Sequence, residues 1–280
     1  MMRTAIAALA LVVPAAAGAH SFWLQPEDHT PTLREEVRVD FKVGDLNDGG
    51  DGVSDWGLYW ERIGAFQLHG PDRVYDQQNT VRTTDEGEGT GEGRAGSATI
   101  ALIEPGTHVL AFASNPSFSD LEAERFDAYV EHEGLAAISA HRAKRTQQGL
   151  NGTELYARRA KALFQVGDIL SEHVTQPVGQ TLEIVPLVNP FEQVVAETGP
   201  APLPLKVFWR GQPLANATVF AAPLDRAGDA TRFVTGPDGV ATIPQWSGEP
   251  TLFSVVWGVP APNDSRADYL TIFASLTVGR

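Results

Sequence analysis

From about residue 180 onward the chain is written in short apolar runs of strand length, and this restricts its fold more than any other feature. The runs are TLEIVP, LKVFWR, ATVFAAP, TRFVT, TLFSVVW and YLTIFASLTV, separated by turn signals such as GPDG at 236–239. Regular spacing of β-branched and aromatic runs predicts a small antiparallel sandwich. The last run places Leu270, Ile272, Ala274 and Leu276 on one face and Tyr269, Thr271 and Phe273 on the other.

The first half carries the same signal less regularly. EEVRVDFKVG sets Val37, Val39, Phe41 and Val43 on one side of a half-buried strand. SATIALI, the turn EPG and THVLAFAS predict a hairpin. Two acidic, glycine-rich stretches, DLNDGGDGVSD (45–55) and TTDEGEGTGEGRAG (83–96), are too polar to pack and predict exposed loops. The first fails as a calcium loop, with Gly49 at a ligand position and Trp56 where the bidentate Glu belongs.

The period changes between 119 and 165. SDLE at 119–122 reads as a capping box, with Ser119 as N-cap and Glu122 reaching back. Leu121, Phe126 and Val130, then Leu135 and Ile138, follow at helical spacing, and Leu163 is expected to join them against a sheet. GTELYARRAKALFQVG (152–167) reads as a third helix running into a strand. The expected fold is mainly β. An N-terminal β-sandwich-like domain (20–180) carries a helical insertion at about 119–165, and an antiparallel β-sandwich (200–280) follows. The Pro-rich VVAETGPAPLPL predicts a linker between separable β regions.

A signal peptide is expected over 1–19. Arg3 supplies a short basic start, Thr4–Val13 an apolar run too short to span a bilayer, and Ala17 and Ala19 the small residues of a cleavage site. Cleavage after Ala19 makes His20 the first residue; cleavage after Ala17 makes it the third. The chain has no Cys and a formal charge of −14. Such a balance disfavours nucleic acid and anionic membranes and concentrates cations at the surface. The expectation is an exported, soluble periplasmic protein, neither membrane-anchored nor dependent on disulfides.

His20 raises the main chemical question. A first-residue histidine offers an amine and an imidazole nitrogen, which close one chelate ring on Cu(II), Ni(II) or Co(II). A third-residue histidine adds backbone amides to a square-planar set. The further candidate ligands are Asp45, His69 and His108, the two histidines standing at strand ends where donors can converge. His69 reads as solvent-facing and His108 as a hydrogen-bonded core-edge residue. His29 is nine residues from His20 and needs a turn at Pro26 to approach it; His132 and His141 read as surface residues. Trp56, Tyr59 and Trp60 form an aromatic cluster able to hold a sugar or a partner strand. The chain has no G-x-S-x-G, H-E-x-x-H, phosphate loop or dinucleotide fingerprint, so an enzyme is not expected.

Six blocks in order resemble a known family: AHSFWLQP after a leader, FDAYVEHEGLAAI, ELYARRAKALFQVGD, LEIVPLVNPF, PLPLKVFWRGQPLANATVFA and DYLTIFASLTV. Together they are similar to the domain of unknown function 4198 family, exported bacterial proteins described as periplasmic components of cobalt or nickel uptake. GQPLANATVFAAP…TGPDGVATIP is also similar to transthyretin-like sandwich domains. The resemblance implies a divalent transition metal as cargo and a membrane metal-uptake transporter as partner. The family pattern sets a histidine where this chain has Asp45 and another near Trp257. Here the first is a carboxylate that can still ligate, and the second an indole that cannot. Two other functions remain open: a carbohydrate- or protein-interaction module using the aromatic residues, and a histidine-brace copper oxidase, which requires a second imidazole beside His20.

Overall fold

A computed structural model describes residues 21–44, 46, 53–83, 96–192, 199–226, 228–263 and 265–280. The order begins with β1 (Ser21–Pro26), β2 (Glu36–Gly44), β3 (Ser54–Asp55), β4 (Ile63–His69), β5 (Val74–Asp76) and β6 (Val81–Arg82). Then come β7 (Ser97–Ala101), β8 (Gly106–Ser114), β9 (Ser117–Leu121), α1 (Ala123–His132), α2 (Ala136–Arg145) and β10 (Gly152–Val166). The remainder is β11 (Leu182–Pro186), β12 (Ala201–Trp209), β13 (Gln212–Pro213), β14 (Thr218–Pro223) and β15 (Thr231–Val234). It ends with β16 (Val240–Trp246), β17 (Thr251–Pro260) and β18 (Tyr269–Val278). The protein is mainly β, as expected, with antiparallel sheets stacked face to face. No described helix is long and apolar enough to cross a membrane.

Three sheets form. A front sheet runs β1-β2-β7-β6 with β3 on β2, and a back sheet joins β11, β12, β13 and β16. A nine-stranded central sheet, β15-β14-β17-β18-β10-β8-β4-β5 with β9 on β10, lies between them. Strand alternation determines which layer meets which face. Ala160, Ala162 and Phe164 of β10 pack with Phe22, Phe41, Phe66 and Phe112 under the front sheet. Leu163 packs the other way, with Val109, Leu205, Val207, Phe253 and Leu276 under the back sheet. The two outer sheets thus cover opposite faces and opposite ends of the central sheet. Each half has its own apolar cluster, but both contribute strands to one sheet, because β10 pairs in parallel with β18 from Glu154↔Tyr269 to Ala162↔Thr277.

The helical insertion is smaller than expected. Residues 152–166 are strand β10, not a helix, because both faces of this strand are covered and its polar residues do not alternate with apolar ones. Ser119 lies in β9, and Glu122 occupies the N-cap of α1 without a side-chain bond. The cap comes from Asn151 instead, whose Oδ1 accepts from Ala123 N–H at 3.2 Å. Phe126, Val130, Leu135 and Ile138 bury against Val256, Tyr269 and Phe273 on the front face, while Leu163 serves the back cluster.

β7 and β8 are not a hairpin: β7 belongs to the front sheet and β8 to the central one, so EPG turns an arch between layers. Gly106 is needed there, with φ 128°. A Cβ at 106 would lie 2.6 Å from Ser171 Oγ and 2.8 Å from Pro71 Cγ. The second half of the expected linker, APLPL, is the start of β12. Most of the two acidic stretches lies outside the described residues.

Candidate functional site

β1 and β2 pair antiparallel, and their described register ends with Ser21 opposite Gly44 and Phe22 opposite Val43. His20 and Asp45 lie outside the described residues; their sequence neighbours are this terminal pair. β3 returns to the same place, with Ser54 opposite Val43 and Asp55 opposite Lys42. Lys42 ion-pairs with Asp55 and, at 3.7 Å, with Asp40. β1 and β3 thus both pair with β2 at its Lys42–Gly44 end.

Beneath this edge lies a buried charged cluster. Phe22 meets Trp56 edge-on, ring centroids 4.6 Å apart, and leans on Phe112 at 5.2 Å. The Arg158 guanidinium sits 5.4–5.6 Å from the rings of Phe22, Trp56, Tyr156 and Phe273. The negative π faces stabilise the cation where little water reaches it, and burial lowers its pKa from the usual arginine value. Glu154, four residues back along the same face of β10, is 3 % exposed. It accepts from Ser119 Oγ at 3.2 Å and Thr271 Oγ1 at 2.9 Å. Burial raises its carboxyl pKa against those two bonds, and burial also drives the Tyr129 hydroxyl well above its usual range.

His69 and His108 are not brought together. His69 stands opposite Val109 and so shares the back face, whereas His108 follows Leu110 and Phe112 on the front face. His69 is half-buried, not solvent-facing, and its carbonyl accepts from His173 Nε2 at 3.3 Å. His108 is 1 % exposed, and its Nε2–H donates to the Glu104 carbonyl at 2.8 Å. Burial lowers the pKa of both; the Lys161 charge adds to this at His69, and the Glu104 carbonyl opposes it at His108. Phe22 packs on Phe112, and His108 lies four residues further along β8, about 13 Å at 3.3 Å per residue. These two imidazoles therefore belong to the far end of the sheet from the start of β1.

The other histidines are engaged as well. His29 Nδ1–H donates to the Leu163 carbonyl at 2.7 Å, and its own carbonyl accepts from Gln165 N–H. The turn after β1 thus docks against β10 beyond the end of β18, and burial lowers the His29 pKa. His132 stacks on Phe220 at 5.3 Å and His141 meets Tyr269 edge-on. Trp257 packs against the back cluster, away from β1. Among the described residues no three His, Cys, Asp or Glu side chains could share a metal.

Two further buried charges had no signal in the sequence. Lys161 and Glu183, 2 % and 1 % exposed, pair at 2.8 Å between β10 and β11. Glu183 also accepts from the backbone N–H groups of Val178, Gly179 and Gln180 at 2.7, 3.1 and 3.1 Å.

Stacked, largely antiparallel sheets with two short helices define a mainly β protein. The sequence matches the family described as a domain of unknown function, DUF4198, over residues 17–249, and the chain belongs to that family. The match spans both His20 and Asp45. No curated protein matches the chain.

Proposed function

We propose that this is an exported, non-enzymatic protein that holds nickel, cobalt or copper at its processed N-terminus. It would work in the periplasm, supporting uptake or delivery of the metal to a membrane transporter. The observation that carries the reading is the β1–β2 register, in which Ser21 and Gly44, the neighbours of His20 and Asp45, stand opposite each other. Opposed residues of an antiparallel pair are about 4.5–5.5 Å apart at Cα, so the described neighbours of the two donors stand side by side. Ligand bonds of about 2 Å suit an ion shared by an amine, an imidazole and a carboxylate. The family's description with cobalt and nickel, and the transthyretin-like reading of the second half, belong to this same proposal.

Isothermal titration with Cu(II), Ni(II) and Co(II) tests it, using processed protein, His20→Ala, Asp45→Asn and a form keeping one extra residue ahead of His20. The expected result is loss of affinity in His20→Ala and in the extended form, with a smaller loss in Asp45→Asn. Equal affinity in all four would overturn the reading.

A second reading draws support from Tyr59 and Trp60, exposed at 40 % and 46 %, as a platform for a sugar or protein partner. Binding of either that is metal-independent and lost in Trp60→Ala would favour it. A copper oxidase of the histidine-brace kind needs a second imidazole beside the first residue, and the six described histidines are engaged elsewhere.

A further inference from the structure

On the back face of the central sheet, over β4 and the Ala111–Ala113 part of β8, a groove of about 260 Å³ opens. Its floor follows from the register. Ala65, Ala113 and Arg159 form one row across the three strands, Gln67, Ala111 and Lys161 the next, and His69, Val109 and Leu163 the third. Small side chains in the first two rows leave the space, and the segment Val178–Thr181 walls it.

The lining is unlike the rest of the molecule. The chain holds 35 acidic residues, yet among the described residues no carboxylate lines this groove. The only guanidinium among its described lining residues is Arg159, whose Nη1 donates to the carbonyls of Ser114 and Arg158 at 3.0 and 2.7 Å. That anchors the group, and no described residue accepts from Nε or Nη2. No carboxylate pairs with Arg159 among the described residues, and burial alone lowers its pKa. Away from Arg159 stand the hydrogen-bonding groups of Gln67, about 7 Å along β4, and His69, about 13 Å along it. Lys161 does not add charge, since Glu183 neutralises it beneath the wall.

The wall is built at a cost. A buried ion pair loses hydration that its mutual attraction does not reliably repay, and replacing such pairs by apolar residues is often neutral or stabilising. What Lys161 and Glu183 achieve is geometric: the carboxylate gathers three successive N–H groups and fixes residues 178–180 in place. A rigid wall lowers the ordering cost that a ligand would otherwise bear.

We propose that this groove binds a small organic carboxylate, with its carboxylate on Arg159, its carbon chain on the alanine floor and a polar end at Gln67 and His69. A guanidinium takes a carboxylate through two parallel hydrogen bonds, and the apolar floor between the polar ends favours a carbon chain over inorganic phosphate. The site lies on the face opposite β1 and is independent of the metal-binding reading.

Titration calorimetry with succinate, glutarate and glutamate, and with inorganic phosphate for comparison, tests it on the full processed protein. At least one carboxylate should bind, and Arg159→Gln should weaken it by about tenfold or more, as loss of a charge-assisted bidentate contact implies. Ala113→Leu fills the floor without altering any charge and should weaken binding by a similar factor, which keeps the test decisive if Arg159→Gln misfolds. Absence of binding by every carboxylate, tighter binding of phosphate, or unchanged affinity in Ala113→Leu would each overturn the proposal.

Discussion

Strand β10 carries a buried cation on each face, and the two faces accommodate it by different chemistry. Toward the back sheet, Lys161 is paired with one carboxylate that is itself held by three backbone N–H groups. Toward the front sheet, Arg158 lies among four aromatic rings at 5.4–5.6 Å. A localised ammonium, strongly hydrated in water, needs an opposite charge when buried. A delocalised guanidinium tolerates π faces and remains able to donate at its edges. The difference teaches that the Lys161 side works as a strut whose parts must all be present. The Arg158 side is softer, because the loss of one ring leaves three.

The comparison is broken most directly at Lys161. Lys161→Met leaves Glu183 buried without a counter-ion and should lower unfolding free energy by about 3–5 kcal/mol, read from urea denaturation at neutral pH. A loss under about 1 kcal/mol would mean that the carboxylate is content with its backbone donors and that the pair is no strut. On the other face, Arg158→Lys keeps the charge but loses the planar stacking, for an expected cost of about 1–2 kcal/mol. If it costs as much as Lys161→Met, the two faces are equally rigid and the contrast fails.

Changing pH tests a third set of groups. Burial lowers the pKa values of His29, His69 and His108 below their ordinary 6.5. The folded state then binds fewer protons than the unfolded chain below that value. Their contribution is present above pH 6.5 and is lost as pH falls through the folded values. Glu154 acts in the opposite sense: its raised pKa adds stability as pH falls toward 4.5. Urea midpoints should therefore drop between pH 7 and 5, and less steeply in His29→Gln, whose amide can still donate to Leu163. The smallest effect is expected at the exposed pair of Arg38 and Asp40, 48 % and 24 % exposed. Arg38→Gln should change stability by no more than about 0.5 kcal/mol, measured in the same assay.

Strands written as alternating or continuously apolar runs could be read from the sequence, even where both faces are covered as in β8 and β17, whereas β10, with charged side chains on its covered faces, could not. Val37, Val39 and Phe41 alternate with charged residues and lie buried in β2 as expected. β10 was obscured by Arg158, Arg159 and Lys161, whose partners come mostly from distant segments: Phe22, Trp56 and Phe273 for Arg158, Ser114 for Arg159 and Glu183 for Lys161. The cap of α1 comes from Asn151, 28 residues beyond Ala123, so no pattern at 119–122 could reveal it. EPG marks a turn correctly, but whether the strands on either side pair or part depends on distant partners, β2 for one and β4 and β10 for the other. Of the candidate ligands, the sequence marks His20 and Asp45 by position alone. The separation of His69 from His108 depends on register and could not be seen without the sheet.

The parallel join of β10 to β18 also governs the order in which the molecule can assemble. β18 occupies the middle of the central sheet although it is encoded at residues 269–278. Until those residues are available, β10 lacks one neighbour and β17 has nothing to join it to the first half. Contacts between segments more than a hundred positions apart form slowly, because the loop must close before any pairing repays it. A growing chain of this design therefore cannot join the two parts of its central sheet until residues 269–278 have been made.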